Sequence, residues 1–138
     1  MPITREFTVL VEDRPNMLGN VCRALAEREV NILALQSFPT RGKFVVRLIV
    51  DDPDKAKTVL SKERLTYAET RIIQTRIRHR PGEIARLASR LGKANINIDY
   101  AYCGLEKGTN APLVFFGVAD VDKAAAVLDQ LAAAAGNP

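Results

Sequence analysis

The 138-residue chain has one histidine, two cysteines and no tryptophan, and these scarcities argue against several classes of function. His79 has no second histidine to join it, and Cys22 and Cys103 form no CxxC pair, so a zinc site, a metal-chaperone loop and a disulfide framework are not expected. No loop carries paired carboxylates, which leaves the chain without the nucleophile and base of a catalytic set. We therefore expect a protein of the reducing cytoplasm that is not an enzyme and uses no metal or cofactor.

Long hydrophobic runs are also missing. No apolar run reaches the ~18 residues that a membrane-spanning helix needs, and residues 1–7 (MPITREF) do not resemble a signal peptide. The net charge of +4 permits an acidic partner without requiring one. Hydrophobic residues make up 47% of the chain, as in globular proteins, so length and composition predict one ordinary domain or two very small ones.

The most informative feature that is present is an internal repeat. Residues 13–18 read DRPNML and lead to VNI at 30–32, while residues 79–84 read HRPGEI and lead to INI at 96–98. One supersecondary unit of roughly 65 residues is therefore used twice. We expect repeat 1 over residues 1–68 and repeat 2 over residues 69–138.

The two copies can be aligned residue by residue. The motifs pair Arg14 with Arg80 without a gap as far as the asparagines that precede the next strand. After a slightly longer loop in the second copy, the alignment resumes two positions later and pairs Lys55 with Lys123. We call this correspondence the repeat alignment, and it allows each position of one copy to be compared with its equivalent in the other.

Hydrophobic periodicity predicts the same elements in each repeat. Apolar residues recur with helical spacing over 16–29 and 83–93, and the second of these helices is expected to turn Ile84 inward. Each copy thus has the order β-α-β-β-α. The predicted strands cover residues 3–11, 31–35, 44–50, 69–78, 96–102 and 113–118.

Carboxylates mark where the remaining two helices begin. Asp52 directly precedes a proline, a combination typical of a helix start. Asp120 or Asp122 is expected to cap the corresponding helix of the second copy, which should continue to Leu131. Residues 132–138 are then expected to form a fraying tail.

This order of elements predicts an α+β fold of two tandem ferredoxin-like βαββαβ units, with antiparallel sheets and helices on one face. The last strand of repeat 1 must lie within 65–70, where it can run directly into the first strand of repeat 2. Repeat 2 has no residues left for a last strand of its own. We therefore expect it to lack or abbreviate that strand and to leave a sheet edge that must be covered.

Both faces of the central strands are apolar. Val45 and Ile49 in one copy, and Val114, Phe116 and Val118 in the other, are expected on the face that the helices do not cover. Such a face needs a second sheet to bury it. We expect that sheet from the sister copy or from another subunit, which predicts tight packing between the copies or a homodimer.

The turn between the first strand and first helix of each repeat is the candidate site. A helix N-terminus offers unpaired backbone N–H groups and a partial positive charge to a carboxylate. Asn16 and Gly82 occupy the turns and tolerate positive φ. Polar residues before the turn and at the start of the next strand complete a set able to hold a ligand with ammonium and carboxylate groups: Asp13, Asn16, Met17, Leu18, Asn31, His79, Gly82, Glu83, Ile84 and Asn97. The alternative is that these residues serve only turn chemistry.

These motifs carry a resemblance to the ACT domain. DRPNML before a helix followed by VNI into a strand resembles the family's pattern, and RPGEI followed by NINI is closer still. The resemblance covers nearly the whole chain. It extends to the helix that begins with Asp-Pro-Asp-Lys-Ala at 52–56, as in small tandem ACT proteins without a catalytic domain.

The resemblance implies a regulatory module. ACT domains usually bind amino acids at interfaces between domains and control amino-acid metabolism, so the implied partners are an amino acid or related small carboxylate and a regulated enzyme. By the same resemblance Asp13 and Asn31 are ligand-binding positions in copy one, and His79 and Asn97 are their equivalents in copy two. Asn16 departs from the usual loop glycine and His79 from the usual Asn or Asp, so the two sites are not equivalent.

Two other functions remain open from the sequence. RNA recognition motifs share the βαββαβ order and need stacking aromatics on the third strand, but residues 41–48 (RGKFVVRL) place a single aromatic out of register. A purely structural protein–protein interaction module is the other alternative. The basic residues Arg71, Arg76, Arg78 and Arg80 are interpreted as a solvated strand face or a docking surface for an acidic partner.

Overall fold

The computed structural model describes residues 2–134. Helices α1 and α3 confirm the helices predicted over 16–29 and 83–93, while two strands, β2 and β5, extend beyond their predicted ends. In this part of the chain the elements are β1 (Ile3–Glu12), α1 (Met17–Glu27), β2 (Ile32–Thr40), β3 (Lys43–Val50), α2 (Pro53–Lys62), β4 (Thr66–Arg76), α3 (Glu83–Lys93), β5 (Ile98–Leu105), β6 (Pro112–Val118) and α4 (Val121–Ala134).

The chain divides into two compact units. The first unit is Arg5–Thr70, and the second unit runs from Arg71 onward and also includes the residues up to Thr4. Strand β4 contributes to both, because it continues without a break from Thr66 to Arg76. This confirms the prediction that the last strand of repeat 1 runs directly into the first strand of repeat 2.

In the first unit, β3 lies between β1 and β2 in an antiparallel sheet, and Phe7 stands opposite Leu48. The first residues of β4 lie beside β1, where the Thr70 hydroxyl donates to the Glu6 carboxylate at 3.4 Å. Alternating residues of the strands meet one face of α1 and α2, as the two periodicities require. The resulting core consists of Phe7, Val9, Val11, Val21, Ala24, Leu25, Val30, Val46, Leu48, Val50, Ala56, Val59 and Leu60.

The second unit repeats this arrangement with β6 between β4 and β5. Ile73 stands opposite Phe116, and the repeat alignment makes this pair the equivalent of Phe7 and Leu48. Its core packs against α3 and α4, and it is formed by Ile73, Leu87, Leu91, Ile96, Val114, Phe116, Val118, Ala124, Ala125, Val127 and Leu128.

The start of the chain supplies what the second repeat lacks. The Gln74 N–H on β4 donates to the Pro2 carbonyl at 2.9 Å, and Ile3 packs against the second core. These N-terminal residues lie beside β4, the position that the last strand of a ferredoxin-like unit occupies next to the first. The sheet edge expected to be open is therefore covered by residues far away in sequence.

The face assigned to the apolar residues of β6 was wrong in the sequence prediction. Val114, Phe116 and Val118 belong to the core beneath the helices, and Phe115 is the residue between them that points to the opposite face. Val45 and Ile49 do lie outside the helix-side core of the first unit, with 7% and 2% exposure. Strand alternation carried from one copy to the other through the repeat alignment would have placed both strands correctly.

The predicted helix starts of α2 and α4 are confirmed by their hydrogen bonds. The Lys55 N–H donates to the Asp52 carboxylate at 3.1 Å, and the Lys123 N–H donates to Asp120 at 3.0 Å. Helix α4 reaches Ala134, so a tail that frays from residue 132 was wrong for its first residues. The rest of that predicted tail lies outside the described residues.

Candidate functional site

The two strand–helix turns share one backbone conformation. Asn16 has φ 72° and Gly82 has φ 90°, both in the left-handed region, and neither helix start receives a side-chain capping hydrogen bond from these residues. The geometry matches the sequence expectation, since Asn and Gly are the residues that reach positive φ at least cost. Each helix therefore begins with backbone N–H groups that its own N-cap side chain does not engage.

Substitutions at Gly82 test whether φ alone requires glycine there. A Cβ at Gly82 would meet nothing within 4 Å, so only the backbone conformation opposes a side chain. We expect Gly82→Ala to lower the free energy of unfolding by about 1 kcal/mol. Gly82→Asn should stay close to wild type, because Asn16 adopts this conformation in the first unit. Urea unfolding measures both, and an equal loss in the two variants would show that crowding rather than φ selects glycine.

The first turn contains a carboxylate in the segment between β1 and α1. Asp13 is exposed directly after β1, and the first turn of α1 contains no acidic residue. Met17 and Leu18 are half-buried and pack against the first core, so their side chains anchor the turn. The segment that joins β1 to α1 therefore contains Asp13, and the amino-acid site expected there stays a prediction.

The two asparagines lie elsewhere. Asn31 precedes β2 at the opposite end of its sheet, where its N–H donates to the Asp51 carboxylate at 2.9 Å. The rise of a strand puts about 23 Å between this end and the hairpin at Lys43 that stands opposite Glu12. Asn97 occupies the same position in the second unit and donates to Asp99 at 3.1 Å. Within a unit, the asparagines and the turn do not come together.

The second turn differs from the first in its side chains. His79 is exposed, and Glu83 at the first position of α3 is buried with 5% exposure. The Glu83 carboxylate accepts from Arg80 at 3.1 Å and from Arg86 at 3.4 Å. Burial raises the pKa of Glu83, but the hydrogen bonds from the two arginines outweigh burial and hold the pKa below its ordinary value. Ile84 was predicted to face inward. This prediction was wrong, because its side chain in the first helical turn of α3 is 43% exposed.

A cleft of about 560 Å³ lies beside this turn in the second unit, between the end of β4, the start of α3 and the end of α4. It combines a basic rim with an apolar wall. We call it the arginine cleft, and it is lined by Thr75, Arg76, Ile77, Arg78, Arg80, Glu83, Arg86, Leu87, Leu128, Leu131 and Ala132.

The sequence interpretation of these arginines was incomplete. Arg71 forms an ion pair with Asp122 at 2.9 Å, as expected of a solvated strand face. Arg76, Arg78 and Arg80 instead converge with Arg86 on the arginine cleft. The repeat alignment could have indicated that these arginines are specific to the second copy, because it places other residue types at most of the equivalent positions in the first copy.

A smaller cleft of about 280 Å³ shares Thr75, Arg76, Leu128 and Ala132 with the arginine cleft. Glu106 lines it and accepts from Arg76 at 2.6 and 3.1 Å, a bidentate pair that ties the β5–β6 loop to β4. Hydrogen bonds from Arg76 and then from Thr109 lower the pKa of Glu106 to about 2.

This ion pair predicts a pH-dependent contribution to stability. Unfolding returns the pKa of Glu106 from about 2 to its ordinary value of 4.5. Because the folded value is the lower one, the contribution is present above 4.5 and is lost as pH falls toward 2. We expect Glu106→Gln to be less stable than wild type at pH 7 and the difference to shrink below pH 4.5.

Urea unfolding of wild type and Glu106→Gln between pH 7 and pH 3 measures this effect. Glu27→Gln is the matched control, since Glu27 is an exposed carboxylate without an ion pair in the described part of the chain. A difference that stays constant over this pH range would contradict the assignment.

Other kinds of site find little support in residues 2–134. These residues contain no group of three or more His, Cys, Asp or Glu side chains that could hold a metal ion. None of the helices described has both the length and the hydrophobicity that a membrane span requires. Phe44, the strand aromatic in the RNA-binding alternative, packs against the first core and is not displayed for base stacking.

Comparison with known proteins assigns the first repeat. Residues 6–64 match the ACT domain family. This segment is similar to an ACT domain. The match contains the first strand–helix turn with Asp13 and Asn16, and it confirms the family to which the sequence motifs pointed. No match to the chain was found among curated proteins.

Solved structures share the fold of this chain over both repeats. A protein from Bacteroides thetaiotaomicron is similar over 93% of this chain and 88% of its own, with a TM-score of 0.81 and 24% identity. The regulatory subunit of aspartate kinase from Thermus thermophilus, in its ligand-free form, is similar over 94% and 96%, with a TM-score of 0.62 and 12% identity. Aspartokinase alpha and beta subunits give 94% and 96%, a TM-score of 0.58 and 14% identity.

Proposed function

We propose that this protein is a tandem ACT regulator that binds an amino acid or related small carboxylate and thereby modulates a partner protein of amino-acid metabolism. The observation that carries the proposal is the ACT domain match over residues 6–64. A regulatory rather than catalytic role also agrees with the regulatory-subunit structures that share the fold. The whole repeat 2 (residues 69–138) is included in the proposal as a second ACT unit, because it repeats the register and turn conformation of the first.

The first turn is the better amino-acid site. A ligand carboxylate placed at the start of α1 would meet backbone N–H groups near Asn16, Met17 and Leu18. The first helical turn of α1 has no acidic side chain that would repel it. Its ammonium group would meet Asp13. At the second turn Glu83 occupies the first position of α3, and His79 stands where the first turn has Asp13, so that turn offers no carboxylate to an ammonium group at the equivalent position.

Calorimetry on Asp13→Ala tests this assignment. A thermal-shift screen of the twenty amino acids first identifies the ligand, since binding raises stability by mass action. Asp13→Ala should then weaken its binding by about 1.5–3 kcal/mol, the range for a charge-assisted hydrogen bond. The equivalent variant of the second repeat, His79→Ala, is the matched control and should bind as wild type does.

Three results would contradict the proposal. Absence of binding by wild type at millimolar concentration would mean that the turn is structural only. Equal binding by wild type and Asp13→Ala would place the site elsewhere. We further propose a homodimer whose packing changes on binding, and sedimentation velocity that is identical with and without the ligand would contradict that regulatory mechanism.

A further inference from the structure

We propose that the arginine cleft of the second unit is a binding site for an oxyanion, a carboxylate or phosphate monoester, carried on an apolar chain and lacking an ammonium group. This ligand differs in class from the amino acid proposed for the first turn. All residues that line the cleft belong to the second unit, so the site is complete within it. Its volume of about 560 Å³ lies within the range of small-molecule pockets.

The charge of the cleft selects an anion. The four lining arginines face two carboxylates, Glu83 and Glu106, which leaves a net charge of +2. The Arg78 side chain pairs with no carboxylate in the described part of the chain. A guanidinium binds carboxylate and phosphate oxygens in a bidentate geometry, so Arg78 is the side chain able to take a ligand oxyanion without breaking an existing ion pair.

The arrangement of Glu83 argues against an ammonium group on the ligand. Glu83 is the acidic residue among those that line the arginine cleft, and Arg80 and Arg86 already share its carboxylate. Its side chain is only 6% exposed. An amino acid would therefore bring its positive charge beside guanidinium groups with no available anion to offset it.

The repeat shows that the fold does not need these arginines. Through the repeat alignment, Arg76 corresponds to Leu10 and Arg78 to Glu12. Glu83 corresponds to Met17 and Arg86 to Asn20, while Arg80 alone has an arginine, Arg14, at its equivalent position. The first unit builds the same strand, turn and helix without this charge, so the arginine cleft is a property of the second unit rather than of the fold.

The apolar lining of the cleft suits an aliphatic chain. Leu87 and Leu128 are buried beneath it with 3% and 5% exposure, and Leu131 is half-buried beside them. A ligand chain that covers the exposed part of Leu131 removes apolar area of both partners from water, and the free energy gained is roughly in proportion to that area. A ligand with a charged end and an aliphatic body satisfies both walls together.

A matched set of probes tests this class of ligand by calorimetry on the full chain. Hexanoate and hexyl phosphate carry the two oxyanions on one chain length, hexan-1-ol removes the charge, acetate removes the chain, and norleucine adds the ammonium group. We expect hexanoate, hexyl phosphate or both to bind, and at least tenfold tighter than the other three probes. Binding of one oxyanion alone identifies the head group. The norleucine comparison is made in Asp13→Ala, so that binding at the first turn does not contribute. Equal binding of hexan-1-ol, equal or tighter binding of norleucine by Asp13→Ala, or no binding of either anion at millimolar concentration would overturn the proposal.

Variants locate the bound probe. Arg78→Gln should weaken binding of the effective anion about tenfold or more, while Arg23→Gln, which removes the same charge from an exposed site on α1, should not change it. Because Arg78 is exposed, Arg78→Gln should melt at the wild-type temperature without probe, which separates lost binding from lost folding. Unchanged affinity in Arg78→Gln would overturn the proposal. Loss of amino-acid binding in Asp13→Ala is a separate measurement, so either proposal can fail while the other stands.

Discussion

Replacing Arg47 by methionine should lower the free energy of unfolding by about 3–5 kcal/mol, the cost of leaving one partner of a buried ion pair without the other. The Arg47 guanidinium lies 3.9 Å from the Glu6 carboxylate, whose side chain is only 1% exposed. Without Arg47, the Glu6 carboxylate would keep the hydrogen bond from Thr70 at 3.4 Å but would lose the positive charge beside it, so less of its desolvation cost would be offset. Urea unfolding of the variant measures the loss.

The pair should respond asymmetrically. Glu6→Met should cost less than Arg47→Met, because the Arg47 side chain is 20% exposed, donates to Gln36 at 3.2 Å and lies 5.0 Å from the centre of the Phe38 ring. The double variant should lie closer to wild type than Arg47→Met does, since an apolar pair needs no charge compensation. A double variant that loses the sum of both single losses would show that the two residues do not interact energetically.

Gly117→Ile should be the second strongly destabilising substitution, with a loss of about 3 kcal/mol from overpacking. The ring of Tyr100 on β5 covers Gly117 on β6, and a Cβ at this glycine would come closer than 3.0 Å to three ring atoms. Tyr100 also stacks on Tyr102 with ring centres 6.4 Å apart, so its ring is held in place. The added side chain and the ring therefore compete for one volume.

The first repeat indicates the rescue. Through the repeat alignment, the Tyr100–Gly117 cross-strand pair corresponds to Ala34 opposite Ile49, with the large and small residues exchanged. We expect Tyr100→Ala combined with Gly117→Ile to recover more than half of the stability that Gly117→Ile loses, because it recreates the pairing of the first unit. Urea unfolding of the two single variants and the double variant measures the coupling, and additive losses would contradict this interpretation.

Local rules succeeded where one stretch of chain contains all the interacting groups. Asp52 and Asp120 were recognised as helix caps, because a cap bonds to N–H groups only a few positions away. Asn16 and Gly82 were expected at positive φ for the same reason, since steric limits on φ act within a residue. The internal repeat also predicted the order of helices and strands, and its alignment relates the strand register of one unit to that of the other.

Predictions that required distant groups to meet succeeded less often. Asn31 and Asn97 lie at the far end of the sheet from the turn of their own unit, because the chain reverses along α1 and α3, so their role in ligand binding stays a prediction. Val114, Phe116 and Val118 were assigned to the uncovered face, although a strand in which both faces are apolar gives no local signal of which face meets the helices.

The amino-acid sequence by itself determined two copies of one βαββα pattern, their helix starts, their left-handed turns and the ACT character of the first. Tertiary structure alone decided that Pro2 and Ile3 complete the second sheet and that four arginines converge on one cleft. The physical reason is the range of the interactions. Helix caps, turns and hydrophobic periodicity depend on residues that are close together in the sequence, so the sequence predicts them directly. The cover of a sheet edge and the charge of a cleft depend on which distant segments the fold brings together.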